Sequence, residues 1–297
     1  MCGIFGIIPN GEGQDSALGV LANHARQRGK DSSGLIQYTG DGYRVNRADY
    51  DINKLLKRVR PDSSQVVLGH SRLITNSLND NQPVVRNDVM VIHNGIIVND
   101  DAIWDELDLN RQTGLDSEVI AGILEARLAE GMQLEDVPEQ IISVCDGVVA
   151  TAIALPRLGK LLLFSNNGSL YLGYLGKSVL FASEEFPLNK LACKGVHQIR
   201  KEATIIDIPI SDAPIELLEE SVREEDLIPQ FKYIQSEASL LEYDINDIKR
   251  CTKCILPETM PFIYFNSDGV CNYCNNYKLR NNPRPKEEMF NLVESYR

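Results

Sequence analysis

Met1-Cys2-Gly3-Ile4-Phe5-Gly6-Ile7-Ile8 opens the chain and decides how the rest is read. Removal of the initiator methionine leaves Cys2 first, so that one residue carries both a thiol nucleophile and a free α-amine. A thiol needs a base or a depressed pKa to attack an amide at neutral pH. An α-amine titrates near about 7.7–8.0, so it can take a proton and return it. The apolar run from Gly3 to Ile8 reads as a buried strand that holds this terminus rigidly. By itself, a cysteine after methionine is also just a small residue at a start, so its meaning depends on the remaining 289 or so positions.

Short apolar runs with period-two character fill much of the chain after this start. Gln65–His70, Val89–His93, Val148–Ala154, Lys160–Phe164 and Ser178–Ala182 read as strands bounded by turn residues. Two helical segments interrupt them, Ser16–Arg28 and Asp116–Glu130, the latter with Val119, Ile120, Ile123, Leu124 and Leu128 on one face. This order suggests sheets packed together with helices outside. The 297 residues suffice for one large domain or two smaller ones. A net charge of −12 leaves no basic face for nucleic acid. No apolar run is long enough to span a bilayer, and the apolar start stops at Pro9-Asn10-Gly11 without a basic region before it. A cytoplasmic location without membrane partners is expected. Seven cysteines are an odd number for a disulfide framework, and a reducing compartment suits their distribution. Cys145 and Cys193 read as small semi-buried thiols.

Four further segments stand with Cys2. Arg28-Gly29-Lys30-Asp31-Ser32-Ser33-Gly34 is a glycine-punctuated turn into a strand. Gly69-His70-Ser71-Arg72-Leu73-Ile74-Thr75-Asn76 closes a strand with an arginine and leads through a polar loop to Gln82-Pro83. Val91-Ile92-His93-Asn94-Gly95 sets an Asn-Gly pair after a buried strand, and Asp116-Ser117-Glu118-Val119 begins a helix. Singly, Arg72 reads as a surface salt-bridge residue, Asp116 as a helix N-cap and Asn94-Gly95 as a hairpin turn. His70 and His93 invite a Cys–His pairing, but with a terminal amine available as base they read as packed structural histidines.

In this order and at these separations, the motifs resemble the class II glutamine amidotransferase domain of the N-terminal-nucleophile hydrolases. Cys145-Asp146-Gly147 and Phe181-Ala182-Ser183-Glu184 fit as well, and the resemblance covers residues 2–210. It implies an α+β fold, the four-layer αββα sandwich, and hydrolysis of glutamine to glutamate and ammonia. Cys2 would attack the glutamine amide, and Asn94 with the Gly95 N–H would form the oxyanion hole. Arg72 would pair with the α-carboxylate, Asp116 would hold the α-ammonium, and Thr75 would lie in the substrate loop. Leu73 departs from an aromatic found in several relatives, and Thr75-Asn76 from a Thr-His or Ser-Thr pair, which bears on how the loop closes over glutamine.

Residues 211–250 turn acidic, with Asp212, Glu216, Glu219, Glu220, Glu224, Glu225 and Asp226 relieved by Arg223, and read as a solvated linker or exposed helix. In residues 251–284, Cys251-x2-Cys254, sixteen residues, and Cys271-x2-Cys274 have the spacing of a four-thiolate structural zinc site. An iron–sulfur cluster and a disulfide pair are the alternatives. The sequence around these cysteines resembles the entry segment of N-acetyl sugar amidotransferases, which act in surface-polysaccharide assembly. That resemblance implies a nucleotide pyrophosphatase domain downstream, where ATP and magnesium would act. Pro285–Arg297 begins a helix with an apolar stripe, and no Ser-Gly-Gly-x-Asp-Ser phosphate loop occurs. The expectation is a glutaminase domain working with an ATP-dependent synthetase domain or subunit, and a homo-oligomer is compatible with it. Alternatives are an amide hydrolase of another substrate, or a catalytically idle glutamine-sensing or interaction module.

Overall fold

The computed structural model describes residues 2–11, 14–73, 81–107, 109–200, 203–220, 248–278 and 285–294. It divides into two compact units, Met1–Glu225 and Asp226–Arg297.

Among the described residues, the first unit is built on two sheets. The larger has eight strands, in the spatial order β13 (Lys194–Gln198), β11 (Tyr171–Leu175), β12 (Ser178–Ala182), β1 (Gly3–Ile8), β4 (Val67–Arg72), β2 (Ser32–Tyr38), β3 (Tyr43–Ala48) and β15 (Glu216–Glu220). The smaller has five, in the order β14 (Thr204–Asp207), β10 (Lys160–Ser165), β9 (Ala150–Leu155), β6 (Val89–His93) and β5 (Val84–Arg86). A two-stranded ribbon pairs β7 (Ile96–Ile97) with β8 (Gly147–Val148).

Period-two alternation sorts the side chains into layers. In β1, Ile4 and Ile8 face the space between the sheets, while Phe5 and Ile7 turn outward. The outward face meets α1 (Asp15–Arg28) and α2 (Ile52–Val59) through Leu18, Leu21, Ile52 and Leu55. In β9 and β10, Ala152, Ala154, Leu161 and Leu163 face inward, and Ile153, Leu162 and Phe164 outward. There they meet α4 (Glu118–Ala129) and α5 (Val137–Val144) through Val119, Ile120, Ile123 and Ile141, with Trp104 of α3 (Asp100–Glu106) beside them. The result is the expected helix–sheet–sheet–helix stack. Both faces of the central strands are covered, which is why their sequences read as continuous apolar runs, while the edge strands β13 and β15 stay largely exposed. Gly6 fits this packing: a Cβ there would fall 2.2 Å from the Phe181 ring.

The acidic segment needs correction at its start. Glu216–Glu220, read as linker, is strand β15, which runs parallel to β3 at the sheet edge. Arg44 pairs with Glu216 and Arg47 with Glu219, both at 2.6 Å, so these glutamates are neutralised by arginines of the neighbouring strand. Residues 221–247 of the linker reading lie outside the described residues.

Among its described residues the second unit has a short helix at Asn272–Asn276 and a helix at Lys286–Glu294. Among its described residues only Cys251 and Cys271 are buried. On the second helix Met289, Phe290, Leu292 and Val293 are exposed. No helix among the described residues is long and apolar enough to cross a membrane.

Candidate active site

Cys2 enters β1 against the end of β4. Gly3 pairs with Ser71, which sets Arg72 beside the start of the chain. Cys2 is 9% exposed, and its Sγ lies 3.9 Å from the Leu73 carbonyl. Burial pushes the thiol above its ordinary pKa; nearby Arg72 pulls it down and Asp116 pushes it up. These cross-influences put the thiol, the arginine and the aspartate in one neighbourhood although they come from three elements. A buried thiol with a raised pKa is a poor nucleophile until a base takes its proton.

Arg28 is a residue to which the sequence reading gave no role. Its Nε donates to the Cys2 carbonyl at 2.7 Å and its Nη1 meets Glu184 at 2.5 Å. The pair clamps the first residue between the end of α1 and the segment after β12. The Arg28-Gly29 and Ser183-Glu184 steps inside the quoted motifs were the available signal.

Arg72 is 3% exposed, so the surface salt-bridge alternative does not hold. Asp116 does not cap its helix with its side chain. Its Oδ2 accepts from the Ile97 N–H at 2.8 Å, tying the carboxylate to the chain just past Asn94-Gly95. Nor does Asn94-Gly95 turn a hairpin: β6 pairs with β5 and β9, whereas β7 pairs with β8. The Asn94 N–H donates to Ala150 O at 2.8 Å, and Asn94 is 2% exposed. A Cβ on Gly95 would fall 1.7 Å from the Val148 carbonyl oxygen, so only glycine fits. Thr75, the remaining candidate, lies outside the described residues.

His70 and His93 are fully buried and neutral. Burial holds His70 down to about 3, with Arg72 and His93 adding to it, and burial also lowers His93. Cys145 is buried too, and burial pushes it up to about 12, the state of an inert packed thiol.

Beneath the site, Arg86 lies between two carboxylates, 2.8 Å from Glu118 and 2.8 Å from Glu125, and over the Trp104 ring. Glu118 in turn accepts from the Gln112 and Thr113 N–H groups. This buried pair fixes the approach to Asp116, two residues before Glu118.

In the second unit the sulfurs of Cys251, Cys254, Cys271 and Cys274 lie within 4.8 Å of one another. Cys251 and Cys274 are 4.0 Å apart and Cys254 and Cys271 3.6 Å. A tetrahedral ion with bonds of about 2.3 Å requires sulfurs about 3.8 Å apart, so the four fit one such ion. A disulfide would need about 2.05 Å, and all seven cysteines are free. A multi-iron cluster, whose four cysteines divide between two or more irons, would spread the sulfurs further. The N–H groups of Lys253 and Cys271 point at the Cys251 sulfur at 3.4 and 3.2 Å, as knuckles around thiolates do.

Comparison with known proteins gives this arrangement a family. Residues 70–190, which carry Arg72, Asn94, Gly95 and Asp116, match the glutamine amidotransferase domain family. The glutamine–fructose-6-phosphate aminotransferase of Bradyrhizobium diazoefficiens is 29% identical over 200 residues, covering 64% of this chain and 33% of its own. That of Rhizobium leguminosarum bv. viciae is 30% identical over 201 residues, 63% and 32% of the two chains. The chain thus spans about a third of the length of these curated relatives. In fold it resembles glutamine phosphoribosylpyrophosphate amidotransferase from B. subtilis complexed with ADP and GMP, with a TM-score of 0.56 and 19% identity, covering 69% of this chain and 49% of that one. An allosteric regulatory enzyme of purine biosynthesis aligns with the same TM-score at 18% identity, covering 72% and 50%. The N-terminal unit of this chain is therefore similar in sequence to glutamine amidotransferase domains, and its fold is that of the class II, N-terminal-nucleophile amidotransferases.

Proposed function

We propose that the N-terminal unit hydrolyses glutamine with Cys2 as nucleophile once Met1 is removed. The observation that carries this reading is the shared neighbourhood of a buried thiol, Arg72 and Asp116 inside a glutamine amidotransferase domain. Sγ attacks the side-chain amide carbon while the α-amine takes the thiol proton. The amine returns that proton to the leaving nitrogen, the C–N bond breaks, and ammonia departs. Water then adds to the thioester, giving a proton to the amine, and the C–S bond breaks to release glutamate and restore the thiol. The Asn94 side-chain amide and the Gly95 N–H stabilise the oxyanion, each donor contributing about 2.7–4 kcal/mol to the transition state. Arg72 pairs with the α-carboxylate in the geometry a guanidinium favours. Asp116 receives the α-ammonium, and Thr75 belongs to the loop over the substrate.

Ammonia passes to an ATP-dependent synthetase domain or subunit, for which the resemblance of the cysteine module is the support. The curated relatives are named for transfer from glutamine to fructose 6-phosphate, which favours a sugar-class acceptor, as in surface-polysaccharide amidation. Cys251, Cys254, Cys271 and Cys274 hold zinc as a closed structural site, since four protein thiolates leave no open position for catalysis.

Ammonia release from glutamine, measured alongside intact mass, tests the proposal. Loss of Met1 and abolished release in Cys2→Ala are expected. A retained Met1 with full activity, or undiminished release by the variant, overturns it.

A further inference from the structure

The hydrogen bonds behind Asn94-Gly95 close into a ring. The His93 N–H donates to Gln82 Oε1 at 2.7 Å, and Gln82 Nε2 donates to Ser117 Oγ at 3.1 Å. Ser117 Oγ lies 2.9 Å from His93 Nδ1. Across the imidazole, Nε2 is 2.9 Å from the Val148 carbonyl. A carbonyl only accepts, so Nε2 carries the ring proton and Nδ1 takes the Ser117 proton. That hydroxyl has one proton to give, so Asp116 Oδ1, 3.3 Å away, keeps its lone pairs for another donor. Gln82, His93 and Ser117 are all buried, so each unmade bond would leave a costly orphan group.

The ring reaches the reaction centre at one point. A Cβ on Gly95 would fall 1.7 Å from Val148 O and 2.5 Å from His93 Nε2. The imidazole and the carbonyl it grips are therefore the wall against which the Gly95 backbone rests.

We propose that His93, locked as the Nε2–H tautomer by Ser117 and Val148 with Gln82 closing the ring, is the positioning residue that aims the Asn94 and Gly95 donors at the oxyanion. The inference rests on the glutaminase reading above. His93 acts through Val148 and Gly95, whereas Arg72 and Asp116 hold the amino-acid head group. Its effect thus belongs to the transition state and not to ground-state binding. Burial keeps the ring neutral, in the protonation state this geometry needs.

The test compares glutamate γ-semialdehyde with glutamate on the full chain. The aldehyde accepts the Cys2 thiol: the thiol proton passes to the α-amine, an S–C bond forms, the carbonyl π pair moves onto the oxygen, and that oxygen sits in the oxyanion hole. Glutamate uses only the head-group contacts. In His93→Leu, kcat and aldehyde affinity should each fall about 10- to 100-fold while KM and glutamate affinity stay within about threefold. His93→Gln, whose Nε2 can still donate to Val148, should recover part of the loss. Ser117→Ala, which removes one hydroxyl, should shift aldehyde affinity in the same direction, and it carries the test if His93→Leu does not fold. Equal loss of aldehyde and glutamate affinity, or wild-type kcat in His93→Leu, overturns the inference. Unchanged aldehyde binding by Cys2→Ala instead overturns the glutaminase reading beneath it.

Discussion

The two units of this chain are held together by different physics. In the first, apolar side chains from both faces of two sheets are buried in three layers, each large one contributing about 1.5–3 kcal/mol. In the second, the buried described residues are Cys251 and Cys271, while Ile255, Phe262 and Tyr264 stand exposed. A segment that buries so little apolar surface cannot offset its conformational entropy by packing. The difference teaches that, on the proposed reading, a metal ion held by the four clustered cysteines would take the place of a core in the second unit.

Removing the metal should separate them most sharply. Structural zinc contributes about 10–16 kcal/mol in comparable modules, so chelation or Cys251→Ser should abolish hydrogen-exchange protection around residues 251–278 and leave glutamine hydrolysis intact. Elemental analysis returning no zinc on protein purified without chelator would break the comparison. The reciprocal change is Phe164→Ala, which opens a cavity between the smaller sheet and its helices. It should cost the first unit about 3–5 kcal/mol in denaturant unfolding, with metal content unchanged.

Smaller effects sharpen the account of the first unit. Asp116→Asn removes a charge-assisted bond of about 1.5–3 kcal/mol to the α-ammonium, so KM for glutamine should rise about 10- to 100-fold with a smaller change in kcat. Acid should also act on this unit. His70 has a folded pKa of about 3, against about 6.5 when unfolded, so the unfolded state binds more protons between those values. Its contribution to stability is present above pH 6.5 and is lost as pH falls, with a slope approaching about 1.4 kcal/mol per pH unit. His93, lowered by burial, acts in the same direction. A pH titration of the unfolding midpoint checks this, and a flat profile between pH 6 and 4 would contradict it.

The sequence made the layers legible because both faces of the strands are apolar and the runs announce themselves. Cys2, Arg72, Asn94, Gly95 and Asp116 could be singled out as candidates from the sequence, since each lies in a short motif whose residue types carry a local chemistry. The hidden features depend on partners distant in the chain. Glu216–Glu220 looked like solvated charge because the arginines that neutralise it sit on β3, about 170 residues earlier. The helix Ile52–Val59, capped by Asp51, went unread although Ile52, Leu55, Leu56 and Val59 carry the helical spacing i, i+3, i+4, i+7. Gln82 and Ser117 carried no signal, since a buried amide and a hydroxyl gain their role only when folding sets them against His93. The clamp of Arg28 on Cys2 and Glu184 likewise spans the whole unit.

The central claim is that one cysteine of seven, at the start of the chain, performs the chemistry. The most direct measurement is peptide mapping after treatment with an electrophilic glutamine analogue. The account predicts a single modified residue, Cys2, on a peptide lacking Met1, with labelling prevented by excess glutamine and matched one-to-one by loss of ammonia release. Label on another cysteine with activity lost in step, or full activity after Cys2 is modified, would contradict it.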